Sequence, residues 1–292
     1  MQNGFLCLLS NERKIDGTVG SGVVKMAVKF ATIASGSSGN SIFIGTEYTK
    51  ILIDAGLSGK KIQAGLSDIG VTGDEIDGIF VTHEHIDHIH GIGILSRRFN
   101  IPIYATEGTW KYMPSSVGKI KPENKIVISK EKDFTFKDLN IKPYAIPHDA
   151  AEPVGYSVMT DKFKISVATD IGHVTEEIMD NIKDCDLLLL ESNHDIDMLK
   201  SGTYPYQLKK RILGENGHLS NDTAGKLLAW VICQNSKLKN VFLGHLSKEN
   251  NTPLTAFETV RGILDGYDIE IGKEFNLYLA ARDKVEKLIE LA

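Results

Sequence analysis

The segment 83–88 reads His-Glu-His-Ile-Asp-His and so places four possible metal ligands in six positions. It follows directly after the apolar run 78–82, whose residues favour a β-strand. A tight loop after such a strand can aim its first two histidines at one cation, and Asp87 and His88 at a second cation about 3.5–4 Å away. The spacing therefore predicts a dinuclear metal centre. The alternative is a polar surface loop that happens to be rich in histidine.

Four more acidic or histidine residues come after runs that are typical of β-strands. Asp54 follows 51–53, His148 follows 141–146, Asp170 follows 163–168 and His245 follows 241–244. Imidazole and carboxylate groups together suit Zn²⁺, and they also accept Mn²⁺, Fe²⁺ or Co²⁺. These His and Asp residues fall where a dinuclear site would need them, which disfavours a simple surface loop.

The order His-x-His-x-Asp-His after a strand resembles the signature of the metallo-β-lactamase fold hydrolases, and the similarity runs from about Met26 to about residue 280. Within that superfamily, the segment 34–41 and the two Gly-His-Leu-Ser segments at 217–220 and 244–247 are similar to the YycJ/WalJ-type branch. That branch is related to tRNase Z and to the phosphodiesterase of phosphonate metabolism, and it is associated with nuclease activity. The two Gly-His-Leu-Ser segments are interpreted as two loops that serve one pocket.

The resemblance implies a set of site residues. The first metal would be held by His83, His85 and His148, and the second by Asp87, His88 and His245, with Asp170 bridging the two. Asp54 would orient the metal loop, and Asp87 is also expected to act in catalysis. A hydroxide bridging two divalent ions would attack the substrate, with Zn²⁺ as the first expectation and Mn²⁺ or Fe²⁺ as alternatives.

His218 is the candidate donor of a proton to the leaving oxygen, because related phosphodiesterases carry a histidine between the bridging aspartate and the last ligand. Its alternative role is that of a capping residue before a helix at 221–235. His194 and His173 are candidates for contacting substrate or bracing a ligand, and ordinary loop positions are the alternative.

The segment 35–41 has the glycine and serine content of an anion-binding nest, and it includes the candidate residues Asn40 and Ser41. A tight turn between the first two strands is the alternative. Asp149 is either a partner of the neighbouring His148 or a polar turn residue.

Composition agrees with one catalytic domain over 26–292. The chain has 292 residues, of which 42% are hydrophobic, enough for a substantial core. No apolar run reaches the roughly eighteen residues that span a bilayer, so no membrane partner is expected. The three cysteines lie far apart without Cys-x-x-Cys spacing, which predicts a reduced, cytoplasmic protein. Residues 1–25 precede the family-like region and are interpreted as a disordered leader or a misassigned start.

Short apolar β-rich runs alternate with helical patterns along the chain. The predicted strands cover 28–34, 41–45, 50–54, 78–82, 101–105, 140–146, 155–168, 186–190, 239–243 and 275–280. The predicted helices cover 59–69, 91–99, 175–183, 204–213, 221–235, 254–265 and 281–291. We expect an α/β fold, the four-layer αββα sandwich that the resemblance implies, with two mainly antiparallel or mixed sheets and helices outside.

The functional expectation is a dinuclear metal-dependent phosphodiesterase, a nuclease or exonuclease acting on single-stranded DNA or RNA. The net charge of −5 gives no general attraction to a polyanion, so nucleic acid must be held by local basic residues, such as those at 209–211, and by the metals. Tyr204 and Tyr206 could stack on bases, although packing is the preferred interpretation. The alternative function is hydrolysis of a small ester, thioester or cyclic phosphodiester. The oligomeric state is left open.

Overall fold

The computed structural model describes residues 27–234 and 237–292. The segment 1–25, interpreted as a leader or misassigned start, lies outside the described residues, and the single domain over 26–292 stays a prediction. No helix in the described part of the chain combines the length and the apolar character needed to cross a membrane.

The described residues form fourteen β-strands. In chain order these are β1 (Val28–Ala34), β2 (Ser41–Gly45), β3 (Lys50–Ile53), β4 (Gly78–Phe80), β5 (Ile103–Thr106), β6 (Lys125–Ile128), β7 (Phe134–Phe136), β8 (Leu139–Ala145), β9 (Val154–Met159), β10 (Lys164–Ala168), β11 (Leu187–Glu191), β12 (Asn240–Gly244), β13 (Asn276–Leu279) and β14 (Leu288–Leu291). They pair into two seven-stranded sheets with the orders β14-β1-β2-β3-β4-β5-β6 and β13-β12-β11-β10-β9-β8-β7.

Both sheets are mixed, and in each the pairing of neighbouring strands changes from antiparallel to parallel at the central strand. In the first sheet, the pairs from β14 to β3 are antiparallel and those from β3 to β6 are parallel. In the second, the pairs from β7 to β10 are antiparallel and those from β10 to β13 are parallel. Parallel neighbours end at the same edge of a sheet, so the loops after β3 and β4, and those after β10, β11 and β12, gather at common edges.

Nine α-helices lie among the same residues. They are α1 (Gly59–Asp68), α2 (Ile86–Ile89), α3 (Ile92–Phe99), α4 (Glu107–Tyr112), α5 (Glu176–Ile182), α6 (Ile196–Ser201), α7 (Tyr206–Ile212), α8 (Asn221–Cys233) and α9 (Pro253–Asp265). Several begin where a hydroxyl side chain accepts a hydrogen bond from the first turn, as Thr175 does from Ile178 N and Ser220 does from Thr223 N.

Three apolar clusters hold four layers together. One lies between the sheets, where Phe30 packs on Phe242 and Phe80 packs on Tyr156. The second joins the outer face of the second sheet to α5, α8 and α9, and the third joins the first sheet to α1 and α3. Burial of these faces is the main stabilising contribution to such an arrangement. The expected αββα sandwich with mixed sheets is confirmed.

Two element predictions are wrong. The segment 281–291 is not a helix: its last residues form β14, in which buried Ile289 and Leu291 alternate with exposed positions and pair with β1. Alternation with a period of two residues fits a strand and not a helix. The run 155–168 is two strands, β9 and β10, because Thr160 and Phe163 close a turn between them.

Candidate active site

The predicted ligands lie in the segments that follow strands at the edges of the two sheets. The segment 83–88 follows β4, and the loop after β8 carries His148. Asp170 lies two residues beyond β10, and His245 comes directly after β12. The fold therefore brings His83 and His245, which are 162 residues apart in the chain, to one place, because the ends of these strands face each other across the sandwich.

Two predicted ligands and the neighbouring Asp54 have an unusual backbone conformation with a positive φ angle. Asp54, Asp170 and His245 adopt φ angles of 60°, 60° and 55°. A left-handed conformation in a residue other than glycine costs about 1–3 kcal/mol and is concentrated at functional sites. Each of the three immediately follows a strand or lies close to its end, so the chain turns sharply there.

Three imidazoles form the first group. Nε2 of His83 lies 3.0 Å from Nδ1 of His85, and Nε2 of His148 lies 3.3 Å from the same atom. Nitrogen ligands of a tetrahedral Zn²⁺, each about 2.0–2.1 Å from the ion, stand about 3.3 Å apart. The spacing of these three nitrogens fits a single ion.

A carboxylate and two imidazoles form the second group. Oδ2 of Asp87 lies 3.5 Å from Nε2 of His88 and 3.6 Å from Nε2 of His245. Asp170 connects the groups, because its Oδ2 lies 3.3 Å from Nε2 of His88 and its Oδ1 lies 3.8 Å from Nε2 of His148. Asp170 thus contacts residues of both groups.

Two atoms of the centre are buried without any hydrogen-bond partner among the described residues: Oδ2 of Asp170 and Nε2 of His245. A buried polar atom without a partner is costly, so such atoms call for an explanation. Both are potential metal ligands, and both lie within the clusters of histidine and carboxylate donors. The donor set therefore fits divalent metal ions.

The orientations of His88 and His148 are fixed by oxygen atoms that contact Nδ1 of each ring. Nδ1 of His88 lies 2.7 Å from Oδ2 of Asp54, and Nδ1 of His148 lies 3.2 Å from the carbonyl oxygen of Gly217. With a proton on Nδ1 donated to oxygen, Nε2 is free to bind a cation. The carboxylate of Asp54 is itself held by the backbone N–H and the hydroxyl of Thr82, each at 2.8 Å.

Glu191 forms hydrogen bonds with two histidines. Its Oε1 lies 2.8 Å from Nδ1 of His218 and 2.8 Å from Nδ1 of His245, while Oε2 accepts from the backbone N–H groups of Ile171 and Leu219. The carboxylate is fully buried. Glu191 therefore ties the candidate proton donor to a candidate metal ligand.

The electrostatics of the centre depend on these neighbours. Burial lowers the pKa of His88, but Asp170, Asp54 and Asp87 outweigh it and raise that pKa to about 9. Burial raises the pKa of Asp170, but the imidazoles of His245 and His88 outweigh it, so the net pKa is low. Burial lowers the pKa of His83 well below its ordinary value. A carboxylate charge thus persists at the centre at neutral pH and favours a cation.

Comparison with known proteins gives consistent results. Residues 49–235 match the model of the beta-lactamase superfamily domain. Exodeoxyribonuclease WalJ of Streptococcus pneumoniae is 39% identical over 269 residues, which cover 91% of this chain and 99% of WalJ. The chain belongs to the metallo-β-lactamase superfamily. Exodeoxyribonuclease YycJ of Bacillus anthracis is 38% identical over 87% of this chain and 95% of its own length, which places the chain in the WalJ and YycJ branch.

Solved structures of the superfamily share the fold at low identity. The metallo-β-lactamase fold protein YhfI of Bacillus subtilis superposes with a TM-score of 0.65 at 15% identity, over 91% of this chain and all of YhfI. The short form of human tRNase Z gives a TM-score of 0.59 at 19% identity, over 89% of this chain and 98% of its own. The resemblance stated from the sequence is confirmed, and the protein is a metal-dependent hydrolase of this superfamily.

The structure places the remaining candidate residues, Asn40, Ser41 and Asp149, at different distances from the metal ligands. Asn40 lies at the centre, with Nδ2 3.1 Å from Nε2 of His88, and its amide also closes the loop back to Gly36. Ser41 is buried at the start of β2, where its hydroxyl has no hydrogen-bond partner among the described residues. Asp149 lies beside His148, with Oδ1 3.4 Å from Nε2, and it pairs with Arg211.

Two of the candidate histidines, His173 and His194, are not brought into the clusters of possible metal ligands. His173 is exposed and its Nδ1 bonds the carbonyl oxygen of Glu215, 2.8 Å away. His194 is buried, and burial lowers its pKa to about 4; within the described residues neither ring nitrogen has a hydrogen-bond partner. Contact of either residue with substrate stays a prediction.

Glu191 and Thr82 belong to the site but were not predicted from the sequence. One signal could have found Glu191, since it ends the apolar run 187–190 in the same way that Asp54 ends 51–53. A buried strand that ends in a carboxylate marks the edge at which polar groups converge. No comparable signal distinguishes Thr82 from the other threonines that follow strands.

Proposed function

We propose that this protein is a metal-dependent exodeoxyribonuclease that removes nucleotides from an end of single-stranded DNA. The observation that carries the proposal is the convergence of the two ligand groups on Asp170, with His218 held beside them by Glu191. The relatives that match nearly the whole chain are named exodeoxyribonucleases, which favours DNA over RNA.

The proposed ligands are those expected from the sequence, with His83, His85 and His148 on one ion, Asp87, His88 and His245 on the other, and Asp170 between them. Five imidazoles and two carboxylates favour Zn²⁺, with Mn²⁺ or Fe²⁺ as alternatives. When bound, such ions lower the pKa of water toward about 7 and neutralise charge on a phosphoryl oxygen.

The proposed role of His218 is to deliver a proton to the oxygen that leaves the phosphorus. Its Nδ1 faces Glu191 at 2.8 Å, so Nε2 is the atom from which the proton departs. The side chain is 19% exposed, which leaves it accessible from the adjoining cavity. Glu191 keeps the ring in place during the transfer.

A small phosphodiester is the second candidate substrate, because the cavity that His218 lines has a volume of only about 160 Å³. The location of the protein in the cytoplasm stays a prediction from its cysteine pattern.

The test uses end-labelled single-stranded DNA and RNA, together with bis(p-nitrophenyl) phosphate. We expect the wild-type protein to shorten DNA when Mn²⁺ or Zn²⁺ is present, and to stop when the metal is chelated. The His218→Ala variant should lose about 10²–10⁴-fold in rate, the usual contribution of a general acid. Cleavage of the small diester alone would contradict the exonuclease and favour the second candidate.

A further inference from the structure

Two cavities meet beside the metal ligands. The smaller, of about 160 Å³, is lined by Ser37, Asp149, Asn193, Tyr204, Leu208, Arg211, Ile212, Gly217, His218 and Ser247. The larger, of about 520 Å³, is lined by Glu84, Glu107, Gly108, Lys111, Tyr112, Asp149, Ala150, Ala151 and Glu152. Asp149 belongs to both, so the two spaces adjoin next to His148. The small cavity draws on both Gly-His-Leu-Ser segments, as expected from the sequence.

Charge decides which cavity suits DNA. Besides the shared Asp149, the larger one carries three carboxylates, on Glu84, Glu107 and Glu152, against the single ammonium group of Lys111. Such a wall repels a phosphodiester backbone. In the smaller cavity, Asp149 is already paired with the guanidinium of Arg211. The smaller cavity is therefore the better place for a nucleotide.

We propose that the smaller cavity binds the terminal nucleotide of the DNA strand, with its base packed against Tyr204 and Leu208. This inference rests on the proposed exodeoxyribonuclease function. A cavity of about 150 Å³ in another protein takes up one benzene-sized ring. A space of about 160 Å³ therefore has room for the ring system of one base, but not for two stacked bases.

The chemistry of the walls fits a single nucleotide. Tyr204 and Leu208 are half-buried and apolar enough to pack on a base, whereas Ser37, Ser247 and Arg211 offer polar groups. A guanidinium has five N–H donors, and the pairing with Asp149 uses the one on Nε. Arg211 can therefore donate to a phosphate or a base edge without leaving Asp149.

The position of the cavity ties it to the reaction. His218 lines it, and Nδ1 of this residue faces Glu191 in the metal centre. A nucleotide seated there places its own phosphodiester bond close to the candidate proton donor. Because the cavity has room for one base, it favours a terminal nucleotide, which stacks on one neighbour only, over an internal one, which stacks on two. The cavity thus accounts for cleavage at ends.

The test compares two single-stranded DNA substrates that differ only at their ends. One carries normal terminal nucleotides, and the other has an abasic residue at both ends. Stacking contributes about 1–3 kcal/mol per base, or about 5- to 150-fold in affinity. We expect the wild-type KM to be at least about fivefold lower for the normal ends.

Three variants test whether the ring of Tyr204 causes the difference between the two KM values. In Tyr204→Ala, the ratio of the two KM values should fall to about one, whereas Tyr204→Phe keeps the ring and should keep the ratio. Tyr206→Ala is the matched control, because Tyr206 lies two residues away, is 75% exposed and does not line the cavity. That control should retain both the ratio and the wild-type rate.

The outcomes separate this inference from the proposed function. If the wild-type protein degrades linear DNA but has equal KM values for the two substrates, or if Tyr204→Ala keeps the wild-type ratio, the terminal-nucleotide cavity is wrong and the exonuclease stands. If neither substrate is degraded in the presence of Mn²⁺, Zn²⁺ or Fe²⁺, both proposals are overturned.

Discussion

At the scale of single residues, Glu191 is the group on which the candidate site most depends outside the ligands. It is fully buried and accepts four hydrogen bonds, two from imidazoles and two from backbone N–H groups. A buried carboxylate of this kind is stable only because its partners compensate for its lost hydration. Its effect on the reaction passes through His218 and His245.

The first prediction concerns Glu191→Gln. Its amide nitrogen cannot accept a hydrogen bond, so at least one of the four donors loses its partner. We expect a fall of about 10–100-fold in DNA hydrolysis or metal affinity, as for other residues that orient metal ligands. Glu215→Gln is the control, since its side chain is exposed and only its backbone bonds His173. Equal activity of the two variants would argue against this role of Glu191.

The second prediction concerns pH and the metal-free protein. In the folded state, the surrounding carboxylates raise the pKa of His88 from 6.5 to about 9 and raise the pKa of His245 as well. The folded protein therefore binds these protons more tightly than the unfolded chain does. The contribution of His88 to stability is complete below pH 6.5 and is lost as the pH rises through about 9, and the contribution of His245 has the same sign.

Thermal unfolding at several pH values measures this effect. The metal-free protein should unfold at a lower temperature as the pH rises through that window. The metal-loaded protein should not, because binding a cation displaces the same protons. A metal-free protein that becomes more stable with rising pH would contradict the assignment.

At the scale of elements, the loop after β3 is packed directly against the metal loop. A Cβ atom on Gly56 would lie 1.6 Å from the carbonyl oxygen of Asp87, and Gly56 N donates to Asn40 O. Such a contact cannot be relieved by a side-chain rotation, since both partners are backbone. The glycine is needed here for close approach.

The third prediction follows from that contact. Gly56→Ala should displace Asp87, lower metal affinity and reduce the free energy of unfolding by about 1–3 kcal/mol. Gly262→Ala is the control, because it lies within α9 with no atom close to its added methyl group. That variant should be neutral or more stable by up to about 1 kcal/mol. Chemical denaturation and metal titration measure both, and similar results for the two variants would refute the argument.

The fourth prediction tests the strand β14, where the sequence predicted a helix. Ile289 is 7% exposed and faces the core between the sheets, whereas Leu288 is 38% exposed. Ile289→Ala should cost about 2–5 kcal/mol of stability, because it removes buried methyl groups and leaves a cavity. Leu288→Ala should stay within about 0.5 kcal/mol of the wild type. The reverse order in urea denaturation would contradict the register of β14.

At the scale of the whole molecule, the sequence predicted most of the architecture because local patterns and site residues coincide. Apolar runs such as 51–53 and 241–244 are nearly continuous, as expected for strands buried on both faces, and each ends in a polar residue of the centre. The metal motif is compact enough to be recognised from spacing alone.

The remaining features depend on contacts between distant segments. Charged residues among apolar ones at 281–291 also satisfy a helical pattern, and only pairing with β1 makes the last four a strand. The edge strands β6 and β7 are short and only partly buried, so their hydrophobic signal is weak. The role of Glu191 arises from His218 and His245, which lie 27 and 54 residues away.

We propose that the clustered histidines and carboxylates hold two metal ions with which the protein hydrolyses DNA. The most direct test measures metal content per chain and the rate of DNA shortening in wild type, His88→Ala and His90→Ala. His90 lies two residues beyond His88 but is exposed and outside the clusters of possible metal ligands. We predict two ions and full activity for the wild type and for His90→Ala. For His88→Ala we predict fewer than two ions and a loss of at least about 100-fold, the upper range for residues that only orient a ligand. Two bound ions and an unchanged rate in His88→Ala would contradict the account.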